Sequence, residues 1–366
     1  MLRQSIIMSS MNTIAKLLVI VVCGISWALF PVVANAKPST AELTSRQIAA
    51  IEKADLSAEQ IAPLVTKPLY EFAEAEVDLY LQYLQALEPD LRRRIVHLAR
   101  KNIGQPYDLY LLGEMPFEPY DPQPIYCLGK SDCLVFSEHT YAMALGHDWP
   151  SFMSLLQRIR YRDGQIGVAT RNHYTEADWN PSNRWLVEDI TAKVGGDRVV
   201  EFRQRIDRSK FLQKRYKLLV DIPVEQHNDV YLPLEAIDLA MPHLAEGDFV
   251  NIIRGKVDPN AAKNSTFGGS AWVGHVGMIV FGTDVQGKRQ VNLIHSSKPK
   301  VREEPLDQYI ARSIKNKAKL DAAGKARLLG FKFLRLESDP LAKLREVDGP
   351  DAPRVTLPKG GRAAFR

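Results

Sequence analysis

The sequence predicts an α+β fold, with helices first and a small antiparallel sheet or half-barrel after them. Apolar residues recur at helical spacing through residues 40–104. From Trp185 onward, short β-branched and aromatic runs are bounded by turn residues. The two patterns are segregated rather than alternating, which argues against a parallel α/β sheet. At 366 residues, the chain can bury one large or two medium cores. Its 45% hydrophobic and 25% charged residues are ordinary for a soluble globular protein. The net charge of +5 drops by two, to +3, when residues 1–36 with Arg3 and Lys16 are removed. Nothing at that level points to nucleic acid.

The chain begins with what reads as an export signal over residues 1–36. Lys16 precedes the apolar run Leu17 to Val33, and Ala34-Asn35-Ala36 supplies a small-x-small cleavage pattern. Cleavage would leave no stable membrane span and would place the mature protein in the periplasm or cell envelope. A helical subdomain is expected over 37–104. Within it lie Ala41–Lys53, a helix capped at Ser57, Tyr70–Leu87, and a helix started by Pro89-Asp90 and ended by Gly104. His97 falls on the apolar side of the last of these and reads as a packed histidine.

A second domain is expected over 105–340. Five prolines between Pro106 and Pro124 forbid regular helix and leave a long loop suited to walling a site. Asp132 then reads as an N-cap, with Cys133 at the start of a helix running to Leu145. The helix-start dipole there favours thiolate over thiol. Phe152–Tyr161 follows as a second helix, and Gly167–Tyr174 has strand character. Further strands are expected at 186–191, 217–222, 230–233, 249–253, 276–281, 290–295 and 331–336, with a helix over 234–241. The tail 341–366 reads as disordered.

Three residues form a chemical constellation. His275 heads one strand, His295 ends the next, and Asp284 to Lys288 is the turn between them. Antiparallel pairing makes the two imidazoles neighbours. A cysteine at a helix start with a histidine base and a second orienting group is the arrangement of a thiol hydrolase. The mature chain holds Cys127 and Cys133, which in an oxidising compartment could instead pair as a disulfide. No His-x-x-x-His or Cys-x-x-Cys spacing supports a metal, so no cofactor is expected. Tyr174 and Trp179 read either as a stacking wall or as a packed surface loop. Arg158, Arg160, Arg162 and Arg171 read either as a solvated basic face or as partners for substrate carboxylates. His173 is a third-ranked candidate beside them.

These motifs resemble a known group. Asp132-Cys133-x-x-Phe136, Gly274-His275-Val276-Gly277, Ile294-His295-Ser296-Ser297 and Gly104-x-Pro106-Tyr107 look like those of NlpC-type cell-wall peptidases of the papain-like superfamily. Within that group the chain is most similar to the N-acetylmuramoyl-L-alanine amidase-like branch. The shared features are Phe136-x-Glu138, the stretch Arg160–Gly164 and Arg171-Asn172-His173-Tyr174. The resemblance implies a papain-like core whose catalytic helix packs on the sheet, with nucleophile Cys133, base His275 and orienting His295. Tyr107 would sit beside the thiol. Apart from the resemblance, Asp132, Arg171, His173, Tyr174 and Trp179 are this reading's candidate substrate-binding residues. The resemblance also implies metal-free hydrolysis of an amide in peptidoglycan or a muropeptide. The N-acetylmuramoyl-L-alanine bond is favoured. A stem-peptide bond, or a silent wall-binding module, stands as the alternative.

Overall fold

The computed structural model describes residues 43–256 and 271–348. The expected export signal, residues 349–366 of the expected disordered tail and the start of the first expected helix lie outside these residues, while residues 341–348 of that tail are helical instead. The chain opens with four helices: α1 (Ser45–Lys53), α2 (Ala58–Thr66), α3 (Glu74–Leu87) and α4 (Leu91–Lys101). Their starts follow from capping chemistry. The Ser57 hydroxyl accepts from the Gln60 N–H while Gln60 reaches back to the Ser57 N–H. Asp90 caps α4 through the Arg93 N–H. After the proline-rich loop come α5 (Cys133–Leu145) and α6 (Trp149–Arg160), then single turns α7 (Asn180–Ser182) and α8 (Thr191–Gly195) around strand β1 (Val187–Asp189). Strand β2 (Val200–Ile206), helix α9 (Arg208–Tyr216) and strands β3 (Glu225–Pro233), β4 (Phe249–Gly255), β5 (Ala271–Thr283), β6 (Arg289–Ser297) and β7 (Lys300–Pro305) follow. Helices α10 (Leu306–Lys315) and α11 (Lys317–Ala322), strand β8 (Arg327–Leu336) and helix α12 (Pro340–Asp348) complete the described chain.

The strands form one antiparallel sheet in the order β2-β3-β8-β4-β5-β6-β7, with β1 also paired to β8. The α+β expectation is met. One face of the sheet, through Phe249, Val276, Met278, Ile294 and Leu334, shares a core with α1–α6. The other face, through Val250, Ile252, Ile279, Leu293 and Phe331, packs under α10 and the 3₁₀ turns after β3. Helix α5 is the centre of the first layer. Every residue from Val135 to Leu145 is buried, including the polar Ser137, Glu138, His139 and Thr140, which all find partners: the hydroxyls and His139 bond the carbonyls of their own helix and Glu138 pairs with Arg160.

Several local expectations fail for identifiable reasons. Gly167–Tyr174 is not a strand: Thr170 and Arg171 both donate back to the Gly167 carbonyl, closing a turn. Residues 217–222 form no strand: Lys217 ends α9 in the left-handed region, and the Ile222 N–H donates to the Ser209 hydroxyl rather than to a neighbouring strand. The helix expected over 234–241 is a 3₁₀ turn, Leu234–Leu239. Cys127 and Cys133 are both free thiols, so it is the alternative disulfide reading that is not met. No helix among the described residues is long and apolar enough to cross a membrane.

Three histidines are structural. His97 Nε2 meets the Tyr80 hydroxyl at 2.7 Å, His139 Nδ1 meets the Val135 carbonyl at 2.8 Å, and His173 Nε2 meets the Val168 carbonyl at 2.7 Å. Burial pushes the pKa of His97 down to about 4 and those of His139 and His173 down to about 3. The unfolded chain protonates these groups near pH 6.5, whereas the folded chain does not. Their contribution to stability is therefore flat above that pH and is lost as pH falls below it. For His139 the loss between pH 6.5 and pH 5 is about 2 kcal/mol. Urea denaturation should show the stability gap between the native chain and His139→Gln shrinking by that amount from pH 7 to pH 5.

Candidate functional site

The site begins at the loop before α5. The Tyr107 N–H donates to the Pro299 carbonyl, and the Ser131 N–H donates to the Pro106 carbonyl, so the Gly104–Tyr107 segment is pinned between α5 and β7. Buried Ser131 also bonds Ser296, the residue after His295, through their hydroxyls at 3.0 Å and through the Ser131 carbonyl at 2.9 Å. The strand of one histidine is thereby tied to the loop two residues before the thiol.

Asp132 caps α5 as expected, its Oδ1 accepting from the Leu134 and Val135 N–H groups at 3.0 and 2.8 Å. Cys133 is half-buried at the first helical position, and its sulfur lies against the backbone N–H of Val276, the residue after His275. The thiol is not primed as a thiolate. Burial, and then the Asp132 carboxylate, push its pKa up to about 12 against the lowering effect of nearby N–H groups. Burial is the larger cause, and the cap that starts the helix adds a negative charge that opposes the dipole, so both act against the expected preference for thiolate. Tyr107 does lie beside the thiol. Its hydroxyl is pushed up to about 12, chiefly by burial and next by Cys133.

The two histidines meet as the hairpin predicts. Asp284 closes the turn by accepting from Gln286 and Lys288, and His275 Nε2 lies 2.6 Å from His295 Nδ1. Gly277 makes room for this approach: a Cβ there would sit 3.0 Å from the His295 Cβ and 2.9 Å from the Ile294 carbonyl. Burial lowers both imidazole pKa values. Beyond them stands a residue that the sequence reading missed. His295 Nε2 is 2.9 Å from Glu304 Oε1, and Glu304 is itself held by Arg302 at 3.0 Å and by Arg312 at 2.6 Å. Despite burial, the hydrogen bonds from His295, Arg312 and Arg302 keep this carboxyl far below the usual carboxylate range. Its only signal in the sequence was the Lys298-Pro299 turn after β6, since the charged strand Lys300–Pro305 reads as loop.

The chain Glu304–His295–His275 determines where the protons sit. A carboxylate only accepts, so His295 Nε2 carries hydrogen and, in the neutral ring, Nδ1 carries the lone pair. His275 Nε2 must then donate to it. That leaves the lone pair of neutral His275 on Nδ1, outside the chain and available as a base.

The remaining expected site residues fall elsewhere. Arg171 is spent on Glu114 at 2.7 Å and Asp121 at 2.9 Å. Arg160 is paired with buried Glu138 at 3.0 Å, and Arg158 with Asp348 at 2.9 Å. Arg162 stays exposed. Trp179 is fully buried against Phe249 and donates to Glu138 at 3.1 Å, so it cannot stack on a ligand. His173 and Tyr174 pack on Phe211. Arg158, Arg160, Arg171 and Trp179 thus brace the fold rather than form a cleft wall. Arg160→Ala strands the buried Glu138 carboxylate and is expected to cost about 3–5 kcal/mol. Urea titration should detect that loss, with KM unchanged in the fraction that folds. No group of three or more His, Cys, Asp or Glu side chains among the described residues is arranged to hold a metal ion.

Comparison with known proteins adds the family. A crystal structure of protein LPG0564 from Legionella pneumophila superposes with a TM-score of 0.59 at 20% identity, covering 73% of this chain and 95% of that one. It shares the fold. A crystal structure named as an N-acetylmuramoyl-L-alanine amidase, from Bacteroides uniformis, aligns with a TM-score of 0.48 at 22% identity, covering 68% of this chain and 99% of that one. No curated protein matches the sequence. The model of the AmiA-like, N-acetylmuramoyl-L-alanine amidase-like family matches residues 97–317, a span that contains Tyr107, Cys133, His275, His295 and Glu304. The chain therefore belongs to the N-acetylmuramoyl-L-alanine amidase-like family.

Proposed function

We propose that the protein is an exported cysteine amidase with a papain-like core that hydrolyses the N-acetylmuramoyl-L-alanine bond of peptidoglycan or muropeptides. The observation that carries this reading is the Glu304–His295–His275 chain, which ends one residue from the backbone N–H that touches the Cys133 sulfur. With the thiol pushed up and the imidazole pushed down, the resting pair is neutral. The proton therefore moves as the bond forms. Cys133 attacks the lactyl carbonyl while His275 Nδ1 takes the thiol proton. The oxyanion falls to the Cys133 N–H, because Asp132 already occupies the next two N–H groups. The imidazolium, stabilised through His295 by Glu304, then protonates the leaving amine. A thioester to the sugar acid remains, and water deprotonated by His275 hydrolyses it.

The apolar run ahead of Ala36 fits delivery of the enzyme to the envelope, where the wall lies. Mass spectrometry of a defined muropeptide digest tests the reading. The expected products are the free sugar acid and a peptide with an unblocked N-terminal alanine. Cleavage inside the peptide would make the protein an endopeptidase with the same machinery. The absence of any product from reduced protein would leave only wall binding.

A further inference from the structure

A cavity of about 270 Å³ opens beside the histidine pair and is lined by His275, His295, Arg254, Arg302, Arg312, Ser297 and Tyr309, among others. Three guanidinium groups face it, and Glu304 neutralises one charge's worth of them through Arg302 and Arg312. Arg254 donates to the neutral Tyr309 hydroxyl at 3.3 Å, and no carboxylate among the described residues pairs with it. Its position is built in. The stem of Arg254 crosses Gly274, where a Cβ would sit 2.6–3.0 Å from the Arg254 Cδ, Cγ and Cβ atoms. The Ser297 Oγ, also lining the cavity, is buried without a hydrogen-bond partner among the described residues. Among the described residues the cavity thus offers unspent cationic and hydroxyl donors and no unpaired anion, which is what a carboxylate requires.

Its place relative to the chemistry says which part of a substrate it serves. In amide hydrolysis the imidazole that took the nucleophile's proton returns it to the leaving nitrogen, so the leaving half must lie beside that imidazole. His275 lines the cavity. We infer that the cavity is the leaving-group subsite and that Arg254, with Ser297 and Arg312, binds a free carboxylate of the departing peptide. This rests on the amidase reading for the identity of that peptide. It makes the protein selective for wall fragments whose peptide carboxylate is free rather than amidated.

Binding of the product peptide tests the subsite apart from turnover. The probes are alanine-initiated stem tri- and tetrapeptides, with free carboxylates or with each carboxylate converted in turn to a carboxamide, titrated calorimetrically into the Cys133→Ala protein. One amidation should weaken binding about tenfold, and adding Arg254→Gln should reduce that acid-over-amide preference to under about twofold. Gly274→Ala, which displaces the arginine stem while keeping its charge, should erode the same preference. Equal binding of all acid and amide forms would overturn the inference. So would equal weakening of both forms by Arg254→Gln, or no binding of any peptide. Turnover by the native chain, measured in parallel, tests the amidase reading alone.

Discussion

The Cys133→Ala protein should fold as the native chain does and hydrolyse muropeptide more than about 10³-fold more slowly, at the background rate. Nothing that starts α5 depends on the sulfur. Asp132 caps the Leu134 and Val135 N–H groups, and the buried run from Val135 onward holds the helix in place. Alanine keeps helical propensity and removes one atom from a half-buried residue, so urea stability should change by about 1 kcal/mol or less. Loss of turnover would then be a loss of nucleophile rather than of structure. Single-turnover kinetics with a urea titration checks both statements, and turnover near the native rate would exclude Cys133 as the nucleophile. Cys127, whose thiol has no part in the proposed chemistry, is the internal control. Cys127→Ser should retain activity.

Glu304→Gln is the second large effect, with an expected fall in kcat of about 10²–10⁴-fold. The carboxylate forces the hydrogen of His295 onto Nε2. A glutamine amide can donate there instead, which reverses both imidazoles and puts hydrogen on the His275 nitrogen that must act as base. The substitution also deletes the negative charge that stabilises the imidazolium. The base pKa should therefore fall, and the acid limb of the kcat/KM profile should move to lower pH while the plateau drops. A residue that merely held β7 in place would not shift that limb. Arg302 and Arg312 lose a partner, but both are partly exposed, at 34% and 51%, so the stability cost should be near 1 kcal/mol or below. Glu304→Asp should recover part of the activity and return the limb toward its native position.

The parts of this arrangement that were legible in the sequence are those set by local chemistry. Asp90 and Asp132 announce helix starts because a capping side chain and its N–H partners are two or three residues apart. Strands β4, β5, β6 and β8 announce themselves through apolar β-branched runs. The meeting of His275 and His295 follows from a turn at Asp284. What stayed hidden depends on partners distant in sequence. Arg171 reads as a substrate ligand until Glu114, 57 residues earlier, is found to bind it. Trp179 reads as an exposed ring until Phe249 covers it. Strand β7 is too charged to look like a strand, so Glu304 escaped notice although it stands only nine residues from His295. The thiol was misjudged differently. Burial raises the thiol pKa most, and the capping carboxylate opposes the helix dipole at the same atom.

The most direct test of the nucleophile is the mass of the enzyme during turnover. A muropeptide digest quenched in acid within the first turnovers, then mapped by peptide mass spectrometry, should show the sugar-acid acyl group on the peptide that contains Cys133. The acyl half retained there also names the bond that was cut. An acyl group on another residue, or a burst of product with Cys133 still fully open to alkylation, would contradict the account.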